Sequence, residues 1–460
     1  MIARTFKTIL FVLVLAAMAG AAPAVKDVSL PDAKEFKLKN GLRVQTVLRH
    51  GVPLVAVRIS LPGGAVTDPE GKEGVTSILT AMLPQETSIR SAAEVADQLD
   101  YVAASFGGST RYTRTVYSGE FLSKDFNFGL ELMGEALKAP AFNPELFERV
   151  RAQSVAGIKS ALTDPEDLIE RDASMVWYGD HPYGRPVSGY IESLEGMTIK
   201  DVEEQYSRAV TPSGALMTIV GEFDPPELKR LVKEHFGDWK GPKPVKAKIP
   251  QFKGIEGRKC VILDMPDVTQ VSLRFLAPGP GLNDKDYYAT DLLSAVLGGG
   301  FTSRLNTELR DKRGLTYSAY AYFVRTLGTG YHYSATFVAP DKVDESVGIV
   351  LAELQKMAEE KPSEDELSLT GRYLAGSFPI SIETGAQVAD RINTYEFLNI
   401  GVSRINRYRS SMLKASQSSH DSLRKQWFGG RNVMIVATGD PEMLTPVLEK
   451  YGEVEVVKPR

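Results

Sequence analysis

The sequence predicts an α+β protein made of two homologous lobes, each an antiparallel sheet covered by helices. Two repeated anchors and a run of helix-start signals predict it. Leu54 to Leu61 is a strand-like run ending in Pro62-Gly63, and Val268 to Ala277 is another ending in Pro278-Gly279. Ala215 to Val220 leads into Gly221-Glu222-Phe223-Asp224-Pro225, and Val433 to Thr438 leads into Gly439-Asp440-Pro441. Both pairs are 216 residues apart. A shared offset at two independent anchors indicates a duplicated unit of about two hundred residues.

Each lobe is expected to open on a hairpin, as at Phe36 to Leu38 and Arg43 to Val47 around the Asn40-Gly41 turn. A strand, a Gly/Pro turn and an apolar helix follow. Each lobe closes on a strand and an Asp-Pro helix start. Asp224 and Asp440 suit the cap position, with Pro225 and Pro441 in the first helical turn. Pro362 to Glu366 is a further start, its acids placed favourably for the helix dipole. The stretch from Lys240 to Pro250 alternates lysine and proline and predicts an extended, hydrated linker. The expected division is therefore a leader at 1–24, an N-terminal lobe at 25–240, a linker at 241–254 and a C-terminal lobe at 255–460.

The leader has the form of a secretory signal. Arg4 and Lys7 precede the apolar run Ile9 to Ala17, and Ala22-Pro23-Ala24 offers a small-x-small cleavage site. The run is short of the ~20 residues that a bilayer span needs. The expectation is an exported chain, periplasmic or extracellular in a bacterial host, with no membrane span after cleavage. The composition of the full chain, 43% hydrophobic and 24% charged, is that of a globular protein. A net charge of −4 gives no basic excess for nucleic acid. Cys260 is the single cysteine, so neither an internal disulfide nor a four-cysteine zinc site can form.

Several stretches resemble the pitrilysin/insulinase metallopeptidase family. Leu61-Pro62-Gly63-Gly64-Ala65 with Glu70-Gly71-Lys72-Glu73-Gly74 is similar to the segment before that family's metal helix. His181-Pro182-Tyr183-Gly184-Arg185-Pro186 through Gly221 resembles its later signature. Leu297 to Leu305 with Leu309 to Ser318 resembles its C-terminal lobe. The resemblance covers nearly the whole chain after the leader. It points to the short two-lobe branch that includes mitochondrial processing peptidase and bacterial relatives. It implies clam-like halves enclosing a peptide chamber.

Active members of that family carry His-x-x-Glu-His on the first helix of the N-terminal lobe. Two histidines four residues apart share one helix face and bind zinc, and the glutamate serves as general base toward the metal-bound water. Matching Leu79 and Met82-Leu83 to that pattern places Ser77, Thr80 and Ala81 at the His, Glu and His positions. On the later helix the ligand glutamate position falls at Gly157, and Val150 occupies a place where active members often have another acid. Independently of any match, the five histidines, His50, His181, His235, His332 and His420, include no two within five residues of each other. No helical His pair is therefore available. His181 beside Pro182 and Gly184 suits a turn.

The resemblance also implies an arginine and tyrosine that reach substrate from the C-terminal lobe. Arg310 and Tyr317 occupy those positions, where guanidinium and phenol are suitable donors to a peptide carbonyl. The plainer alternatives are an ion pair of Arg310 with Asp311 and a half-buried strand tyrosine. Gly298-Gly299-Gly300 reads either as a substrate-facing loop or as a helix end with tight packing, and no Gly-Lys-Ser/Thr follows to make it a phosphate loop. Ala103 to Gly108 followed by Thr110 to Phe121 resembles the edge-strand region that pairs with extended substrate.

Taken together, the expectation is a subunit of a heteromeric zinc endopeptidase that is inactive alone and binds no cofactor itself. Its partner would be a homologous subunit carrying the zinc, and its substrate a peptide or unfolded protein. The alternatives are a peptide-binding protein without hydrolytic activity and a scaffold such as the related core subunits of respiratory complexes.

Overall fold

The computed structural model describes residues 27, 28, 30–245 and 248–459. The expected leader at 1–24 lies outside the described residues. Two six-stranded sheets form the frame. In the N-terminal sheet the order is β1 (Lys34–Lys37), β2 (Arg43–Leu48), β6 (Leu216–Gly221), β3 (Leu54–Pro62), β5 (Arg114–Leu122) and β4 (Ser105–Thr110). In the C-terminal sheet it is β12 (Glu453–Val457), β7 (Lys259–Asp264), β11 (Met434–Gly439), β8 (Val271–Gly279), β10 (Gly330–Val338) and β9 (Ala319–Val324). The last five strands of one order, from β2 to β4, match the last five of the other, from β7 to β9, as a duplication requires.

The α+β class and the two lobes are as the sequence predicts, but the sheets are mixed and not purely antiparallel. β6 runs parallel to β2 and antiparallel to β3, and β11 does the same between β7 and β8. Each of these strands arrives after a long helical excursion and inserts into the middle of its sheet. Such a crossover permits parallel pairing where a tight turn does not. The expected opening hairpin holds for the N-terminal lobe alone. There β1 pairs antiparallel with β2. In the C-terminal lobe the corresponding edge is filled by β12, which runs parallel to β7.

One face of each sheet carries its own lobe's helices. Val57, Ile59 and Leu61 of β3 bury into one core with Ile78, Leu79 and Met133. Leu273 and Phe275 of β8 bury into another with Leu292, Val296 and Leu354. The opposite faces are covered reciprocally. Helix 165–178, from the N-terminal lobe, lies on the C-terminal sheet and packs Leu168, Ile169, Ala173 and Trp177 against Leu263, Leu276, Tyr333 and Val436. Helix 385–397, from the C-terminal lobe, lies on the N-terminal sheet and packs Val388, Ala389 and Ile392 against Val47, Ala56 and Val220. Local signals start both helices. Asp164 caps the first, accepting from the amides of Glu166 and Asp167 with Pro165 in the first turn. Thr384 and Gln387 form a capping box on the second. Full burial of each leucine or isoleucine contributes about 1.5–3 kcal/mol.

A buried arginine crosses each of these junctions. Arg58 on β3 is 5% exposed and donates Nε to Asp390 of helix 385–397 at 2.6 Å. Arg274 on β8 is fully buried and donates Nη2 to Glu166 at 2.5 Å and to Glu170 at 2.9 Å, both on helix 165–178. The two arginines are 216 residues apart, the offset of the repeat.

The linker is not simply hydrated. Ile249 and Phe252 pack into the cluster around Trp177, with the Phe252 and Trp177 rings 5.6 Å apart. The histidine of the later signature is a turn residue here. His181 accepts the Tyr183 amide at its Nδ1 at 3.1 Å, and its Nε2 lies 2.9 Å from the Pro250 carbonyl.

Candidate functional site: a cavity in the N-terminal lobe

Helix 75–82 begins at Gly74, whose φ of 94° lies in the left-handed region. No side chain of the cap residue serves that helix end. Instead the buried Asp68 accepts from the amides of Gly74 at 2.8 Å and Thr76 at 3.3 Å, and from the Thr76 hydroxyl. Gln205 donates to that same hydroxyl at 2.9 Å. Burial pushes the Asp68 carboxyl up to about 7, against the lowering effect of these hydrogen bonds.

The face of helix 75–82 away from the core opens on a cavity of about 640 Å³. Ser77, Thr80 and Ala81 line it, and so does Gly157 from helix 144–161. The structure thus brings together the four positions that the sequence match singled out. Strand β4 closes another side with Gly108 and Thr110. Glycine is required at 108, because a Cβ there would come within 2.6 Å of Thr80 Cγ2. Val150 does not belong to this site, for its side chain is buried in the lobe core.

Zinc needs lone pairs that converge from nitrogen, sulfur or carboxylate donors. Ser77 donates its hydroxyl to the Val187 carbonyl at 2.6 Å, and Thr80 donates to the Thr76 carbonyl at 2.6 Å. Thr110 in turn donates to the Thr80 hydroxyl at 2.9 Å. Ala81 and Gly157 have no donor atom, and a Cβ at Gly157 would meet open space. Among the described residues no three His, Cys, Asp or Glu side chains gather as a metal would need. The residues present do not fit a zinc ion.

Part of the wall was not legible in the sequence. Glu170 and Ser174 of helix 165–178 line the cavity, as do Tyr112 and Ser188. The Tyr112 and Ser174 hydroxyls lie 3.0 Å apart. No local signal marks helix 165–178 as a cavity wall, because its place depends on the exchange of helices between lobes.

The C-terminal candidates lie elsewhere. Arg310 sits in a π-helical turn, Asn306–Asp311. It donates Nε to Asp311 at 2.8 Å and Nη2 to the Phe301 carbonyl at 3.3 Å, with its guanidinium 4.9 Å from the Phe301 ring centre. Tyr317 is 78% exposed, ahead of β9, and so is not the half-buried strand residue of the plainer reading. Gly298 and Gly299 are packing glycines. A Cβ would approach the Ala321 amide nitrogen within 2.3 Å at Gly298 and Ala295 Cα within 2.5 Å at Gly299. Gly300 lines a second cavity, of about 280 Å³, with Gly299, Phe301, Leu369 and Tyr373. Asn306 ties this loop to the sheet, donating to the carbonyls of Gly300 at 3.0 Å and Ala319 at 2.7 Å. In the N-terminal lobe, β4 is an edge strand, paired among the described residues with β5 alone.

Residues 43–190 match the family model described as insulinase (peptidase family M16), and residues 196–371 match the peptidase M16 inactive domain. An uncharacterized zinc protease of Mycobacterium tuberculosis is 28% identical over 80% of this chain and 84% of its own length. One from Rickettsia felis is 25% identical over 77% and 85%. Among solved structures, a peptidase M16 inactive domain from Pseudomonas fluorescens superposes with a TM-score of 0.80 at 22% identity, covering 89% of this chain and 98% of that one. A protease from Helicobacter pylori gives 0.81 at 21% identity, covering 89% and 100%. The fold is theirs, both lobes are spanned by these matches, and the chain belongs to the insulinase family, peptidase family M16.

Proposed function

We propose that this chain is the non-catalytic subunit of a two-chain zinc endopeptidase, exported with a homologous partner that carries the zinc. It would close the peptide chamber around the partner's metal. The observation that carries the reading is the cavity at Ser77, Thr80, Ala81 and Gly157. It stands where the family resemblance places a metal site, and its hydroxyls are already engaged with backbone carbonyls or with each other. Relatives bearing the name zinc protease supply the chemistry expected of the partner. The exposed Tyr317 and the partly exposed Arg310 are the groups this subunit would offer to a substrate carbonyl.

The test is peptide hydrolysis with added zinc, first by the purified chain and then after mixing with its homologue bearing His-x-x-Glu-His. The reading expects no turnover alone and zinc-dependent turnover in the mixture, weakened by Arg310→Ala. Cleavage by the chain alone would overturn it. Silence in both, with peptide retained on the chain, would replace it with a binding role.

A further inference from the structure

Helix 165–178 serves two structures at once. Toward the N-terminal lobe, Glu170 and Ser174 wall the cavity. Toward the C-terminal lobe, Leu168, Ile169, Ala173 and Trp177 are buried against the other sheet. Glu170 belongs to both sides. It lines the cavity, and its Oε1 accepts from Arg274 Nη2 at 2.9 Å and Nε at 3.2 Å and from the Tyr333 hydroxyl. One turn earlier, Glu166 accepts from Arg274 and from Ser272 Oγ at 2.9 Å. The counterpart helix 385–397 repeats the crossing but not the cavity. Its Asp390 holds Arg58, yet none of its residues lines either cavity described above.

We propose that the N-terminal cavity and the junction on the C-terminal sheet form one conformational unit, joined through Glu170, whereas the junction on the N-terminal sheet stands apart from it. An occupant that shifts Glu170 alters its bonds to Arg274 and Tyr333. By reciprocity, loosening Arg274 alters the cavity. The physical carrier is a single rigid helix with side chains in both environments, a contiguous connection that needs no relay. The proposal concerns the chain alone and holds whether or not a zinc-bearing partner exists.

The duplication supplies its own control. Arg58→Met and Arg274→Met remove equivalent buried arginines from equivalent strands. Amide hydrogen exchange in the full chain is read on peptides covering residues 77–81 and 154–161 of the cavity wall. Arg274→Met is expected to speed exchange there by roughly fivefold or more. Arg58→Met is expected to leave it near the wild-type rate. From the other side, Gly157→Phe, which places a ring in the cavity, is expected to change exchange in β8 and β10 but not in β2 and β6. Equal effects of the two arginine variants on the cavity wall, or no effect of either, would overturn the proposal. If Arg274→Met does not fold, Glu170→Gln, at a half-exposed position, gives the same readout, and an unchanged cavity wall in that variant would overturn it too.

Discussion

The two junctions between lobes occupy equivalent places in a duplicated fold and share an apolar patch and a buried arginine, yet they differ in what surrounds these. On the N-terminal sheet the covering helix meets a set of polar groups beside Val47, Ala56 and Val220. Asn393 accepts from Ser60 Oγ at 2.5 Å and donates to the carbonyls of Arg58 and Leu216 and to Thr218 Oγ1. On the C-terminal sheet the positions 216 residues beyond Ser60 and Thr218 are Leu276 and Met434. There the helix meets an aromatic cluster, with Tyr178 within 5.8 Å of the Tyr331 ring and 4.9 Å of Phe252. Among their polar groups, the arginine paired with a helix carboxylate is common to both. The apolar junction gains from area removed from water. The polar one depends on every buried group having a partner, so it specifies position more than it adds stability.

The sharpest way to break this contrast is Trp177→Ala. The ring is 2% exposed in the apolar junction, and its loss should cost about 3–5 kcal/mol in denaturant unfolding. A cost below about 1 kcal/mol would mean that area is not what holds this side.

Next in size is a difference in pH response. His332 on β10 is fully buried beside the rings of Phe323 and Phe428, and burial holds it down at about 3. The unfolded chain takes up that proton near 6.5, so below this pH the unfolded state binds more protons and stability falls as pH falls. The loss between pH 7 and pH 4 should be on the order of 3 kcal/mol and should vanish in His332→Leu. Asp68 has the opposite sign. Its folded form keeps a proton up to about 7, where the unfolded carboxyl gives it up near 3.8, so its lobe is favoured as pH falls through that window. Lobe-resolved hydrogen exchange at pH 7 and pH 5 should therefore show protection rising around helix 75–82 and falling around β10. Parallel shifts in both lobes would remove the contrast.

The polar junction is tested by Asn393→Ala, expected to cost about 2 kcal/mol because partners are left buried and unpaired. Asn393→Leu combined with Ser60→Ala and Thr218→Val should recover most of that loss. Failure to recover would show that the network carries more than its own satisfaction. The smallest effect is expected at Arg310→Ala. Its pair with Asp311 is at the surface, so thermal unfolding should move by less than about 0.5 kcal/mol. That leaves the mixed peptidase assay free to report on Arg310 without a folding artefact.

The duplication was legible because it rests on local chemistry. Strand runs, Gly/Pro turns and Asp-Pro caps recur at one offset whatever surrounds them. The spacing of the histidines was equally plain, as was the helix periodicity that sets Ser77, Thr80 and Ala81 on one face. The order of the strands was not legible, because a strand that enters mid-sheet after a crossover carries the same alternation as one that follows a tight turn. Nor could the partial burial of the linker be read, since Ile249 and Phe252 meet Trp177 from far away in the chain, whereas the pairing of Arg310 with the adjacent Asp311 was open to the sequence.

The sequence by itself determined that there are two like lobes and that no helix in them carries a His pair. The tertiary structure decided that each lobe covers the other's sheet, with Arg58 and Arg274 buried at the crossings. The reason is physical. An amphipathic helix records in its sequence that it has an apolar face, but not which of two apolar sheets will bury it.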